Sequence, residues 1–210
     1  RKGENVMFKM LKKMNLPNKL TMLRIALVPV FIILMVLVEL KVWEGMKYIA
    51  LGVFVIAAVT DALDGRISRK NNIVTNFGKI MDPLADKLLV SSGLIMLVGI
   101  GTIPAWMVAI VVFRDFFASA LRMFGSDNGV AIAAVKSGKI KTIFQMTGIA
   151  LAIIDTNPFG EFLVNGTSME LFELSINVFM TVSITLAVLA TIWSLFDYLA
   201  KFGKHIDVEK

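Results

Sequence analysis

Cysteine is absent from this 210-residue chain, and histidine occurs once, at His205. Without cysteine there is no disulfide framework and no thiol chemistry. Without clustered cysteine or histidine, zinc is disfavoured as a resident metal. His205 sits in a charged tail and reads as a solvated residue. Internal repeats with a period of roughly 20–50 residues are missing, as are low-complexity stretches. A cleavable signal pattern is missing too, because residues 1–13 are charged and hold no long apolar core. That arm is expected to be disordered or interfacial, with Met7, Phe8, Leu11, Lys12 and Lys13 able to lie on a membrane surface. Met14 reads as a native start.

What remains is strongly apolar. Hydrophobic residues make up 57% of the chain, and the mean hydropathy is +0.76, above the range of ordinary soluble domains. Six apolar segments, at about 20–39, 48–66, 83–101, 105–125, 140–154 and 174–199, reach or approach the roughly 20 residues that cross a bilayer. The expected fold class is therefore all-α, a polytopic membrane protein with six transmembrane helices. An N-terminal interfacial segment at 1–19 precedes the membrane domain at 20–199, and a cytoplasmic tail follows at 200–210.

Orientation follows from the basic residues. Lys19, Arg66, Arg69, Lys70, Lys79, Lys136, Lys139, Lys141, Lys201 and Lys204 fall on one side of a six-span chain. The opposite side holds Lys41 and Lys47, and then Asp155, Glu161, Glu170 and Glu173. The basic side is expected to be cytoplasmic. The net charge of +6 suits loops held against anionic lipid, and no nucleic-acid partner is expected.

The chemistry concentrates between Asp61 and Asp86. Asp61 and Asp64 stand three apart near the end of one apolar segment, and Asp82 and Asp86 stand four apart at the start of the next. Each pair shares a helix face, and a short cytoplasmic loop between the helices lets the four carboxylates converge. Four unpaired carboxylates repel one another and resist desolvation. A hard divalent cation, Mg²⁺ or Mn²⁺ with Ca²⁺ as a competitor, removes that cost through oxygen ligands. Two such ions suit phosphoryl transfer. The same aspartates also suit helix caps, with Asp82 before Pro83 as a helix start, or pairing with Arg66, Arg69, Lys79 and Lys87. A divalent-cation transporter would carry acids in its spans as well. Glycine and arginine between the aspartate pairs favour an enzyme: Gly65 and Gly78 admit close approach to the backbone, and Arg69 offers a fork of donors to a pyrophosphate.

A further group of charges lies within the fourth segment. Arg114 and Asp115 sit near its middle, where charge is expensive. Arg122 follows on nearly the same face, and Lys136, Lys139 and Lys141 come after a short loop. These cations can line a pocket for an acceptor phosphate, or Arg114 and Asp115 can pair internally.

The pattern Asp61-x2-Asp64-Gly65-x3-Arg69-x8-Gly78-x3-Asp82-x3-Asp86 resembles that of the CDP-alcohol phosphotransferases, with Ser68 standing where the family has alanine. The resemblance implies that Asp61, Asp64, Asp82 and Asp86 bind the metals, that Asp86 is also the general base, and that Gly65, Arg69 and Gly78 hold the CDP part. The stretch Asn15-Leu-Pro-Asn18-Lys-Leu-Thr21-Met-Leu-Arg24 looks like the same family and adds Asn18 and Thr21 to the CDP site. The runs Phe113-Arg114-Asp115 and Ser137-Gly-Lys139-Ile-Lys141-Thr142 look like the branch that uses glycerol 3-phosphate. By that resemblance Arg114, Arg122, Lys139 and Lys141 hold the acceptor phosphate, and CDP-diacylglycerol is the donor. The family further implies a homodimer among membrane lipids, in a bacterial plasma membrane, with the site facing the cytoplasm. Other branches would make phosphatidylinositol phosphate, phosphatidylserine or cardiolipin.

Overall fold

The computed structural model describes residues 15–71, 76–127 and 136–203, and every regular element among them is helical. In chain order these are α1 (Leu16–Glu39), α2 (Met46–Asn71), α3 (Asn76–Ile100), α4 (Ala105–Asp127), α5 (Lys136–Ile154), a short α6 (Glu161–Asn165) with a 3-10 turn at Gly166–Ser168, and α7 (Leu171–Gly203). Each of the six apolar segments maps onto one long helix, the third overrunning its helix by Gly101. The arm at 1–14 and the tail with His205 lie outside the described residues. For Asp64, Gly65, Arg69, Gly78, Asp82, Asp86, Arg122 and Lys139 the backbone alone is described.

Each long helix extends past its apolar segment at one end at least. Pro17 in the first turn suits the start of α1, since a first-turn residue has no backbone N–H partner to lose. Pro83, expected with Asp82 at a helix start, instead lies inside α3, which begins at Asn76. A proline removes one backbone hydrogen bond, and the turns on either side hold the helix together. Likewise α2 runs past Asp64 to Asn71, so Gly65 is a helical residue rather than a turn glycine. Hydropathy marks only the apolar part of such helices.

The chain divides into two compact units, up to Gly93 and from Leu94 onward. In the first, α1 and α2 pack as an antiparallel hairpin. Thr21, Arg24, Val28, Phe31 and Met35 form the buried stripe of α1, and Ala50, Phe54 and Ala57 that of α2. These alternating three- and four-residue steps are the seam of ridges-into-grooves packing. Phe31 and Phe54 meet across it with ring centroids 5.6 Å apart, and Ala50 and Ala57 let the backbones close in. The end of α1 is a Schellman arrangement: Lys41 donates its N–H to Val38, Val42 donates to Leu37, and Lys41 takes φ 52°.

In the second unit α7 packs along α5 and against α4. Its buried seam runs Asn177, Met180, Ile184, Ala187, Thr191, Ser194 and Tyr198, again in alternating steps. A Cβ on Gly148 of α5 would come within 2.6 Å of Ile184 Cδ1, so glycine sets how closely α5 and α7 approach. Beyond the end of α5, the buried Asp155 accepts hydrogen bonds from Asn157 N–H and Asn177 Nδ2, both at 3.1 Å. Asn177 Oδ1 accepts from the Phe162 N–H at 3.2 Å, tying down α6.

The distribution of polarity is inverted relative to a water-soluble protein. Arg24, Lys141, Gln145, Asn177, Thr191 and Ser194 are buried, while Ile33, Ile56, Ile95, Phe116, Ile143 and Phe179, one from each long helix, are exposed. Such a surface suits hydrocarbon rather than water. Two helical stretches, Asn18–Glu39 and Leu171–Ala200, are long and apolar enough to cross a membrane. Lys87–Ile100 and Lys141–Ile154 are shorter apolar stretches, bounded by the charged ends of their helices.

Candidate active site

Along the α1–α2 seam the side chains change character from one end to the other. Met35, Phe31 and Val28 give way to Arg24, Thr21 and Asn18, all buried. A guanidinium in an apolar seam needs a counter-charge. Arg24, whose side chain is fully buried, finds it in Asp61 of α2, with Nη1 2.7 Å from Oδ1. Asp61 keeps 36% of its side chain exposed. The carboxylate is thus tied to arginine and remains partly accessible. Thr60 beside it donates its hydroxyl to the Ala57 carbonyl at 2.7 Å and is satisfied within the helix.

The remaining motif residues are placed by their backbones. Asp64 lies one helical turn beyond Asp61 on α2, and Asp82 and Asp86 lie one turn apart on α3. Each pair shares a face, as the spacing requires. Gly65 and Arg69 follow on α2, and Gly78 precedes the second pair on α3. The donor set fits a hard divalent cation: four carboxylates, no cysteine in the chain, and a sole histidine at His205. Asp61, held by Arg24 and yet accessible, is the one ligand candidate whose side chain is described.

In the second unit, Arg114, Asp115 and Lys141 come together. Arg114 Nη1 and Asp115 Oδ1 are 3.1 Å apart, and Lys141 Nζ donates to the same oxygen. Arg114 Nη2 donates to Ser194 of α7, and its guanidinium carbon stands 5.3 Å from the Tyr198 ring centroid, in range for a cation–π contact. Tyr198 packs with Ala118, Leu121 and Phe117. Both cations are nearly enclosed, with side-chain exposures of 7% for Arg114 and 2% for Lys141. Of the four acceptor-phosphate candidates, Arg114 and Lys141 are thus brought together, while Arg122 and Lys139 are placed by backbone only, on α4 and α5.

The profile of the CDP-alcohol phosphatidyltransferase family matches residues 14–193. The chain belongs to that family. Among its relatives, a protein of Bacillus subtilis named CDP-diacylglycerol–glycerol-3-phosphate 3-phosphatidyltransferase is 44% identical over 153 residues, covering 69% of this chain and 79% of its own. A protein of Rickettsia typhi with the same name is 36% identical over 146 residues, covering 70% of this chain and 80% of its own.

For a CDP-alcohol phosphatidyltransferase, the family motif gave no sign of two features, one in each unit. The first is the Arg24–Asp61 link, whose only sequence signal was an arginine inside an apolar run. The second is the support of Arg114 by Ser194 and Tyr198. A serine and a tyrosine four residues apart in an apolar helix look like lining until the packing of α7 on α4 is known.

Proposed function

We propose that this CDP-alcohol phosphatidyltransferase transfers the phosphatidyl group of CDP-diacylglycerol to glycerol 3-phosphate, giving phosphatidylglycerophosphate and CMP. The observation that carries the reading is the aspartate pattern from Asp61 to Asp86 within a family match over residues 14–193. The names of the Bacillus and Rickettsia relatives support the choice of acceptor. In this reading Asp61, Asp64, Asp82 and Asp86 hold two divalent cations, Mg²⁺ or Mn²⁺. When bound, these would neutralise charge on the pyrophosphate and on the leaving group. Asn18, Thr21, Gly65, Arg69 and Gly78 hold the CDP moiety. Asp86 takes the proton from the primary hydroxyl of glycerol 3-phosphate. That oxygen bonds to the phosphorus carrying diacylglycerol, the bond from this phosphorus to CMP breaks, and CMP leaves. Arg114, Arg122, Lys139 and Lys141 hold the phosphate of the acceptor.

The inverted polarity of the helices supports an integral membrane protein; the proposed arrangement is six spans, with the basic ends and the site on the cytoplasmic face of a bacterial plasma membrane, the sidedness resting on the segregation of basic residues. There the acyl chains of the donor stay in lipid. A homodimer is proposed from the family alone. The direct test supplies purified protein with CDP-diacylglycerol, Mg²⁺ and a panel of alcohols, and measures CMP release. Glycerol 3-phosphate is expected to drive release and chelation to stop it. Release with serine, inositol phosphate or phosphatidylglycerol but not glycerol 3-phosphate would refute the acceptor assignment.

A further inference from the structure

Asp115 has no role in the reaction as described, yet it is the hub of the buried cluster. One of its oxygens receives both Arg114 Nη1 and Lys141 Nζ. These cations come from α4 and α5. Placing two cations side by side in an enclosed seam is unfavourable, and the shared carboxylate offsets it. The cluster as a whole keeps one net positive charge. It also keeps donor capacity: Arg114 Nε is buried and has no hydrogen-bond partner among the described residues. Asp115 is the most open of the three, with 19% of its side chain exposed.

We infer that Asp115 is a positioning residue for the acceptor, holding Arg114 and Lys141 at a spacing that grips a phosphate dianion. This rests on the acceptor-site reading above. The guanidinium is fixed on its other side by Ser194 and Tyr198, and Asp115 ties it to Lys141 through one shared oxygen. Two accounts of Asp115 differ in sign. If only net charge mattered, removing the carboxylate would raise the local positive charge and tighten anion binding. If Asp115 positions the cations, removing it loosens them and weakens binding.

The test is steady-state kinetics of Asp115→Asn, Asp115→Glu, Arg114→Gln and Lys141→Gln in detergent, with both substrates varied. Asp115→Asn is expected to raise the KM for glycerol 3-phosphate about 10- to 100-fold, the loss expected for a misplaced charged hydrogen bond, and to move the KM for CDP-diacylglycerol far less. Asp115→Glu, which keeps the carboxylate, is expected to recover part of that loss. An unchanged or lowered KM in Asp115→Asn, or no recovery in Asp115→Glu, would overturn the inference. If Arg114→Gln and Lys141→Gln raise the acceptor KM while Asp115→Asn does not, only the positioning role fails. If neither cation variant raises it, the acceptor-site reading fails and the inference with it. Should Asp115→Asn not fold, thermal unfolding of Asp115→Glu with and without glycerol 3-phosphate reads the same point. Stabilisation by the acceptor is expected to be smaller than in the wild type, and equal stabilisation contradicts the inference.

Discussion

Arg24 and Asp61 are buried to different depths, and this sets how each responds to removal. The Arg24 side chain is fully buried, whereas Asp61 is 36% exposed. Asp61→Ala deprives an enclosed cation of its carboxylate and is expected to cost about 3 kcal/mol of stability. Arg24→Leu leaves a carboxylate that water can reach and puts an apolar group into an apolar seam. It is expected to cost about 1 kcal/mol or less. Unfolding titrations of the two variants check the order, and a larger loss in Arg24→Leu would contradict it. The aspartates were legible in the sequence because their spacing alone puts each pair on one helix face. The partner of Asp61 was not, because it depends on the register of α1 against α2, which no local pattern encodes.

At the scale of the element, two positions carry strain or close contact. Lys41 adopts φ 52° at the end of α1, where glycine is the usual residue. Lys41→Gly is expected to stabilise the protein by about 1 kcal/mol, the left-handed penalty of a side-chain residue. An unchanged or lowered midpoint in a denaturant series counts against it. Gly148→Ala is expected to destabilise by about 1–3 kcal/mol, since its Cβ would meet Ile184 Cδ1 at 2.6 Å. Adding Ile184→Val removes that Cδ1 and is expected to recover part of the loss. A strictly additive double variant would mean the two residues do not touch. The long helices were legible from their apolar cores, and so were the ends at Glu39, Ala105 and Ile154, but the ends that carry polar residues were not. Polar motif residues such as Asp64 to Asn71 and Asn76 to Asp82 continue the helices without continuing the hydropathy. Helix α6 was missed because it is short and is held by long-range hydrogen bonds that the Phe162 and Gly160 N–H groups donate to Asn177 and Thr181.

For the whole molecule, the inverted polarity and the segregation of basic residues make a topology that can be tested directly. The absence of cysteine allows single-cysteine labelling without further engineering. In intact cells, a membrane-impermeant maleimide is expected to label Glu170→Cys and to label Lys19→Cys only after lysis. Both positions are exposed, so access is decided by the side of the membrane. The reverse pattern would invert the orientation.

The central claim is that aspartates from α2 and α3 together bind divalent cations for the CDP pyrophosphate. Mn²⁺ binding to the purified protein, followed by electron paramagnetic resonance with and without CDP, tests it most directly. The wild type is expected to bind Mn²⁺ saturably and more tightly with CDP, and Asp61→Asn and Asp82→Asn are each expected to weaken that binding at least ~10-fold. Wild-type Mn²⁺ affinity in both variants would contradict the account.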